Sequence, residues 1–267
     1  MPEFAGSTGT VHYRSWIPDD PSFLAVFNHG LGEHIGLYEP FAEALTQAGI
    51  ALWAHDHAGH GRSGGTRVLI NDIDSLLDDS EAVLGLAREA HPSLPFVLIG
   101  HSLGAMVTTL LTAERLLPNG VRPDGLVLAG SSLVQLPDVP NGLVALLATG
   151  IDPMDLRKDP SEMTRNAGYA DQIRDDPLTW QGGIRLETLQ ALGLAAGRVS
   201  TVLGTIDVPV LLVHGEKDDM APAAGAQRVA ELLPDARAVI YPDDLHNILN
   251  EIDRDKVYEE VIAFIRG

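Results

Sequence analysis

The sequence predicts an α/β protein with a mostly parallel sheet covered by helices on both faces. Three observations predict it. Short apolar runs of strand length alternate with longer stretches of helical spacing along most of the 267 residues. Glycine and proline, 27 and 17 of them, mark the boundaries between these runs. A hydrophobic content of 45% suffices to bury both faces of a sheet within one main domain.

Taken in order, residues 11–16 alternate like an edge strand. Residues 23–27 and 50–54 are apolar runs that read as strands, and 39–48 between them has helical spacing that stops at Gly49. Residues 72–90 form a longer amphipathic stretch ending at His91-Pro92, because the residue before proline is biased away from the helical region. The run Phe96-Val97-Leu98-Ile99 is the next strand, and an Ala/Met/Leu-rich helical pattern covers 104–117 up to Pro118-Asn119-Gly120. Runs 125–129, 208–213 and 236–240 read as further buried strands, and helical patterns at 222–233 and 254–265 complete the order. In such a sheet the reactive loops gather at the carboxyl ends of the strands.

The rhythm breaks once. Residues 133–200 hold Pro137, Pro140, Pro153, Pro160 and Pro177 among short amphipathic pieces. A structureless loop of that length is uncommon inside a compact domain, so the segment predicts an inserted helical cap, or lid, on a core of residues 1–132 and 201–267. Within it Leu143-Val144-Ala145-Leu146-Leu147-Ala148 is apolar, which suits packing onto the core or a substrate-facing wall.

Composition narrows the function. With 18 Lys+Arg against 37 Asp+Glu, the net charge of −19 repels nucleic acid and anionic headgroups, so neither is an expected partner. The absence of cysteine excludes a disulfide framework and thiol chemistry. No apolar run is long enough to span a bilayer. The first residues lack the basic and apolar regions of a secretory signal, which makes the cytoplasm the expected compartment.

The chemistry is carried by Gly100-His101-Ser102-Leu103-Gly104 between a strand and a helix. In such a nucleophile elbow the glycines let strand and helix approach closely while the serine hydroxyl points outward. Serine is a weak nucleophile and needs a histidine base, itself oriented by a carboxylate. The strand ending at Val213 opens into His214-Gly215-Glu216-Lys217-Asp218-Asp219, and the strand ending at Ile240 leads to Tyr241-Pro242-Asp243-Asp244-Leu245-His246. Both loops reach the same sheet edge as Ser102. His55, His57 and His60 look like a metal cluster, yet no second ligand group accompanies them, so a hydrogen-bonded loop and no metal are expected. His29, His34, His101 and His214 flank turns and are expected to satisfy backbone groups.

The combination of Phe27-Asn28-His29-Gly30-Leu31-Gly32-Glu33-His34, His55-Asp56-His57-Ala58-Gly59-His60-Gly61-Arg62-Ser63, the elbow, His214-Gly215-x-x-Asp218 and His246 resembles the monoacylglycerol lipase and lysophospholipase branch of the α/β-hydrolases. The likeness extends to Met163-Thr164-Arg165-Asn166 and Asp176-Pro177-Leu178. It implies a cofactor-free serine carboxylic-ester hydrolase with Ser102, Asp218 and His246 as catalytic residues. It also implies an oxyanion hole of the Leu31 and Leu103 backbone N–H groups. Glu33, Leu37, Leu143, Leu146 and Leu147 are the expected substrate contacts. Leu37 stands where the family commonly has arginine near the polar head of the substrate, which implies that esters of less polar alcohols are accepted too. The expected partner is a small acyl ester, met by transient contact of the cap with lipid aggregates. Dehalogenases and epoxide hydrolases of this fold need a carboxylate at position 102. Lysophospholipases, cofactor-free haloperoxidases and aminopeptidases keep the serine, and a non-catalytic binding protein retains the fold alone.

Overall fold

The computed structural model describes residues 2–136 and 150–267. Among the described residues eight strands form one sheet: β1 (Glu3–Gly6), β2 (Gly9–Trp16), β3 (Phe23–Asn28), β4 (Ile50–His55), β5 (Phe96–His101), β6 (Gly125–Ala129), β7 (Val210–Gly215) and β8 (Ala236–Tyr241). Their order is β1-β2-β4-β3-β5-β6-β7-β8. β2 pairs antiparallel with β1 and with β4, and every later neighbour is parallel. The strand at 11–16 is therefore not the edge. Glu3 pairs with His12 and Gly6 with Gly9, so β1 lies outside it. Four residues ending in glycine carry too little alternation to announce a strand.

The central strands are buried on both faces, which explains their continuous apolar runs. Side-chain alternation divides them between two cores. Leu24, Val26, Leu98, Leu128 and Leu212 pack with α2 (Asp74–Ala90) and α3 (Leu103–Leu110). Ala25, Phe27, Val97, Ile99 and Leu211 pack with α1 (Glu39–Gln47) on the opposite face.

The helix expected over 104–117 is regular only through Leu110, then widens over Leu111–Leu116 and tightens over Leu117–Asn119. The Thr109 and Thr112 hydroxyls donate to the carbonyls of Ala105 and Thr108 at 2.7 and 2.8 Å, competition that bends helices.

Between β6 and β7 lie α4 (Ala167–Asp175) and α5 (Leu186–Val202), with no strand among the described residues. The boundary expected at 200 falls inside α5, which runs through Gly193 and Gly197 and on to Val202. Ala191, Ala195 and Val199 on α5 join the α2/α3 core. α6 (Ala223–Leu232) and α7 (Arg254–Arg266) complete the α-helices among the described residues. Among the described residues no helix is long and apolar enough to cross a membrane.

Candidate active site

Ser102 sits between β5 and α3 with φ 52° and ψ −115°, a left-handed conformation held by its surroundings. Its N–H donates to Ala129 O at 2.9 Å, tying the turn to β6. A Cβ on Gly100 would lie 2.2 Å from Gly104 O, and one on Gly104 would lie 1.9 Å from Asn28 O. Only glycine fits either position, and the second contact presses the start of α3 against the end of β3.

Three loops converge here. His246 Nε2 lies 3.0 Å from Ser102 Oγ, and His246 Nδ1 lies 2.8 Å from Asp218 Oδ2. The carboxylate can only accept, so Nδ1 carries the proton and Nε2 is free to take one from serine. Asp218 Oδ1 accepts from Met220 N and Ala221 N, each at 2.9 Å. Burial favours the neutral acid, but the hydrogen bonds and electrostatic pull of His214 and His246 outweigh it and hold Asp218 well below the usual carboxylate range. Adjacent Asp219 is exposed and pairs with Lys158 of the insertion.

Leu31 and Leu103 both stand at this junction, Leu31 following the β3 end and Leu103 opening α3. Among the described residues neither main-chain N–H donates to a protein acceptor. The adjoining Gly32 carbonyl accepts from Trp180 N of the insertion at 2.9 Å. This fixes the Leu31 loop from the insertion side.

Beneath the elbow, Glu33 Oε2 accepts from Gly30 N at 2.8 Å and Tyr38 OH at 2.5 Å, and lies 3.1 Å from His101 Nδ1. His101 Nε2 lies 3.1 Å from His246 O. Both ring nitrogens thus face acceptors, the arrangement of an imidazolium. Burial opposes that charge, but Glu33 outweighs burial and raises the His101 pKa. In turn burial opposes charge on Glu33, yet His101, Tyr38 and Gly30 bring it down to about 2.

His29, His55, His57 and His60 form a buried cluster with ring centroids 4.2 to 6.0 Å apart. The His29 ring donates to Gly30 O, the His57 ring to His29 O and the His60 ring to Ala58 O, at 2.7, 3.1 and 3.0 Å, and the His57 main-chain N–H donates to His29 Nε2 at 3.0 Å. These bonds occupy one nitrogen each on His57 and His60, while His55 has none. Turn-flanking His34 and His214 also bond locally, Gly36 N donating to His34 Nδ1 and His214 Nε2 facing Ala221 O at 2.6 Å.

Leu37 corrects an expectation. Its side chain is 1% exposed and packs in the core with Ile35, Tyr38 and Phe41, so it presents nothing to a ligand. The short helical turn Ile35–Tyr38 puts it on the inward face. Leu143, Leu146 and Leu147 lie outside the described residues. Sequence reasoning missed His214 as a second neighbour of Asp218, although a histidine four residues before an acid on one turn was a readable signal. It also missed Asp244 and Glu251 beneath the His246 loop, for which no local signal exists.

The geometry agrees with comparisons to known proteins. The model of the family described as serine aminopeptidase, S33, matches residues 19–253. A monoacylglycerol lipase of Mycolicibacterium smegmatis is 31% identical over 98% of this chain and 95% of its own length. The human monoglyceride lipase is 29% identical over 99% of this chain and 90% of its own. A soluble variant of the Saccharomyces cerevisiae monoglyceride lipase, solved with a substrate analogue, shares the fold with a TM-score of 0.85 at 16% identity, covering 99% and 94% of the two chains. The chain is a serine ester hydrolase of monoacylglycerol lipase type and belongs to the serine aminopeptidase S33 family of α/β-hydrolases.

Proposed function

We propose that this protein cleaves single-chain acyl esters, monoacylglycerols among them, through an acyl-enzyme on Ser102. The observation that carries this reading is the relay from Ser102 Oγ to His246 Nε2 at 3.0 Å and from His246 Nδ1 to Asp218 Oδ2 at 2.8 Å. Ser102 attacks the ester carbonyl while His246 takes its proton. The imidazolium then returns that proton to the leaving alcohol, and Asp218 stabilises the positive ring throughout. The oxyanion is held by the N–H groups of Leu31 and Leu103, each worth about 3 kcal/mol in the transition state. Water, activated by the same histidine, releases the acid and regenerates Ser102. On this reading residues 133–200 are the cap over the site, a role supported by the bond from Trp180 N to Gly32 O at 2.9 Å.

The test is labelling and turnover. A fluorophosphonate should modify Ser102, and Ser102→Ala should lower hydrolysis of a 1-monoacylglycerol by about 10⁴-fold or more with the fold intact. A wild-type protein that is neither labelled nor active on any ester would instead be a binding protein built on this fold.

A further inference from the structure

The loop that carries His246 rests on two buried carboxylates. Asp244 and Glu251 are both 0% exposed. Glu251 Oε1 accepts from Leu245 N at 3.0 Å, directly before His246, and Oε2 accepts from Ile252 N at 3.1 Å. Asp244 O receives Lys217 N at 3.0 Å, while its side-chain Oδ2 is buried with no partner. Buried charges of one sign this close need a cation.

That cation comes from the insertion. The Arg165 guanidinium pairs with Asp244 Oδ1 and lies 3.4 Å from Glu251 Oε2 and 3.5 Å from Asp253 Oδ2. The Arg165 main-chain N–H also reaches Glu251, at 3.0 and 3.1 Å from its two oxygens. Neighbouring residues strap the same loop: Asn247 N donates to Met163 O at 2.9 Å and Asn166 Nδ2 to Asn250 O at 3.1 Å.

We propose that Arg165 is a positioning residue for His246, the charge that lets Asp244 and Glu251 brace the catalytic loop from below. This rests on the reading of His246 as the general base. Without the guanidinium, Asp244, Glu251 and Asp253 face one another uncompensated, and the loop relaxes to separate them. A shift of about 1 Å in a catalytic group costs on the order of 100-fold in rate.

The charge balance makes the effect depend on pH. Burial and the charge of Glu251 push Asp244 up to about 6 even with Arg165 present. The other groups facing it are Asp253 ahead of α7 and Tyr241 on β8, and Asp243 beside it pairs with Lys217. With Arg165 gone, protonation of Asp244 at lower pH relieves the repulsion, so the deficit should shrink there.

The experiment compares wild type, Arg165→Met, Asp244→Asn and the double variant on p-nitrophenyl butyrate between pH 6 and 9, as ratios to wild type so that the base's own titration cancels. Arg165→Met should lose about 10- to 100-fold in kcat at pH 9 with KM little changed. The loss should diminish toward pH 6, and the double variant should recover to within about threefold of Asp244→Asn. A pH-independent deficit, a loss confined to KM, or no rescue in the double variant overturns the proposal. If Arg165→Met does not fold, Arg165→Lys decides: a fall of about 3- to 10-fold in kcat at constant KM is expected from its non-bidentate charge, and wild-type kcat overturns the proposal. Fluorophosphonate labelling of wild-type Ser102 separates the two ideas. No labelling removes the reading of the site and this inference with it, whereas labelling with indifferent variants removes the inference alone.

Discussion

His214 Nε2 lies 3.1 Å from Asp218 Oδ2, the same oxygen that receives His246 Nδ1 at 2.8 Å. His214 Nε2 also faces Ala221 O at 2.6 Å, so it carries the proton and donates to both acceptors. With the N–H groups of Met220 and Ala221, four donors hold one buried carboxylate. A hydrogen bond to a charged group contributes about 1.5 to 3 kcal/mol. His214→Ala should therefore lower kcat by about 10-fold with KM nearly unchanged, and His214→Gln, which keeps an N–H, should recover part of it. Equal kcat for wild type and His214→Ala would show that the three remaining donors suffice.

Asp218 and Asp219 are neighbours with opposite orientations. Asp218 turns inward to His246, while Asp219 turns outward to Lys158. Asp218→Asn should cost about 10⁴-fold in kcat, because the amide favours the wrong histidine tautomer. Asp219→Asn should stay within about threefold, as an exposed ion pair contributes little. Steady-state kinetics on both variants decides, and a reversed order would reassign the acid.

The buried histidine cluster sets an acid limit on stability. Burial and neighbouring histidines hold His29 and His57 well below the ordinary value, while burial brings His55 to about 3 and His60 to about 4. These bases are neutral when folded and protonate near 6.5 when unfolded, so unfolding takes up protons below that pH. Stability is full above about 6.5 and falls with acidification by about 1.4 kcal/mol per pH unit for each histidine. His101 and Asp244, both raised, act in the opposite sense and are outnumbered. His55 makes no hydrogen bond, so His55→Phe should flatten the decline between pH 6 and 4.5. Urea midpoints across that range measure it, and an unchanged slope would exclude His55 as a contributor.

Glu33 contributes in a lower window. Its carboxyl is lowered from 4.5 to about 2, so its stabilisation is present above pH 4.5 and is lost as pH falls toward 2. Glu33→Gln leaves the His101 charge without its partner. The expected cost at pH 7 is about 3 kcal/mol, the low end for breaking a buried pair. Chemical denaturation of the variant at pH 7 reads this directly, and a loss below about 1 kcal/mol would mean that His101 is neutral in the fold.

Much of the fold was legible because its signals are local. The β5 run into Gly100-His101-Ser102-Leu103-Gly104 carries its own steric logic, since both glycines are demanded by contacts that a Cβ would violate. The parallel core strands read correctly from their continuous apolar runs, each within a residue or two of its observed bounds. The short β1 did not, because its pairing with β2 supplies the order that its four residues lack.

Periodicity and backbone sterics act over a few neighbouring residues, and they are enough to specify the α/β alternation, the insertion between β6 and β7, and the residue types needed for a serine hydrolase. Which side chains meet is set by the packing of distant elements. Ser102 and His246 are 144 residues apart, and Arg165 reaches Glu251 across 86. Leu37 likewise carries no mark of facing the core rather than the substrate until α1 and β3 pack around it. Such pairings depend on how whole elements stack, and the free energy that selects them comes from burying surfaces distant in the chain.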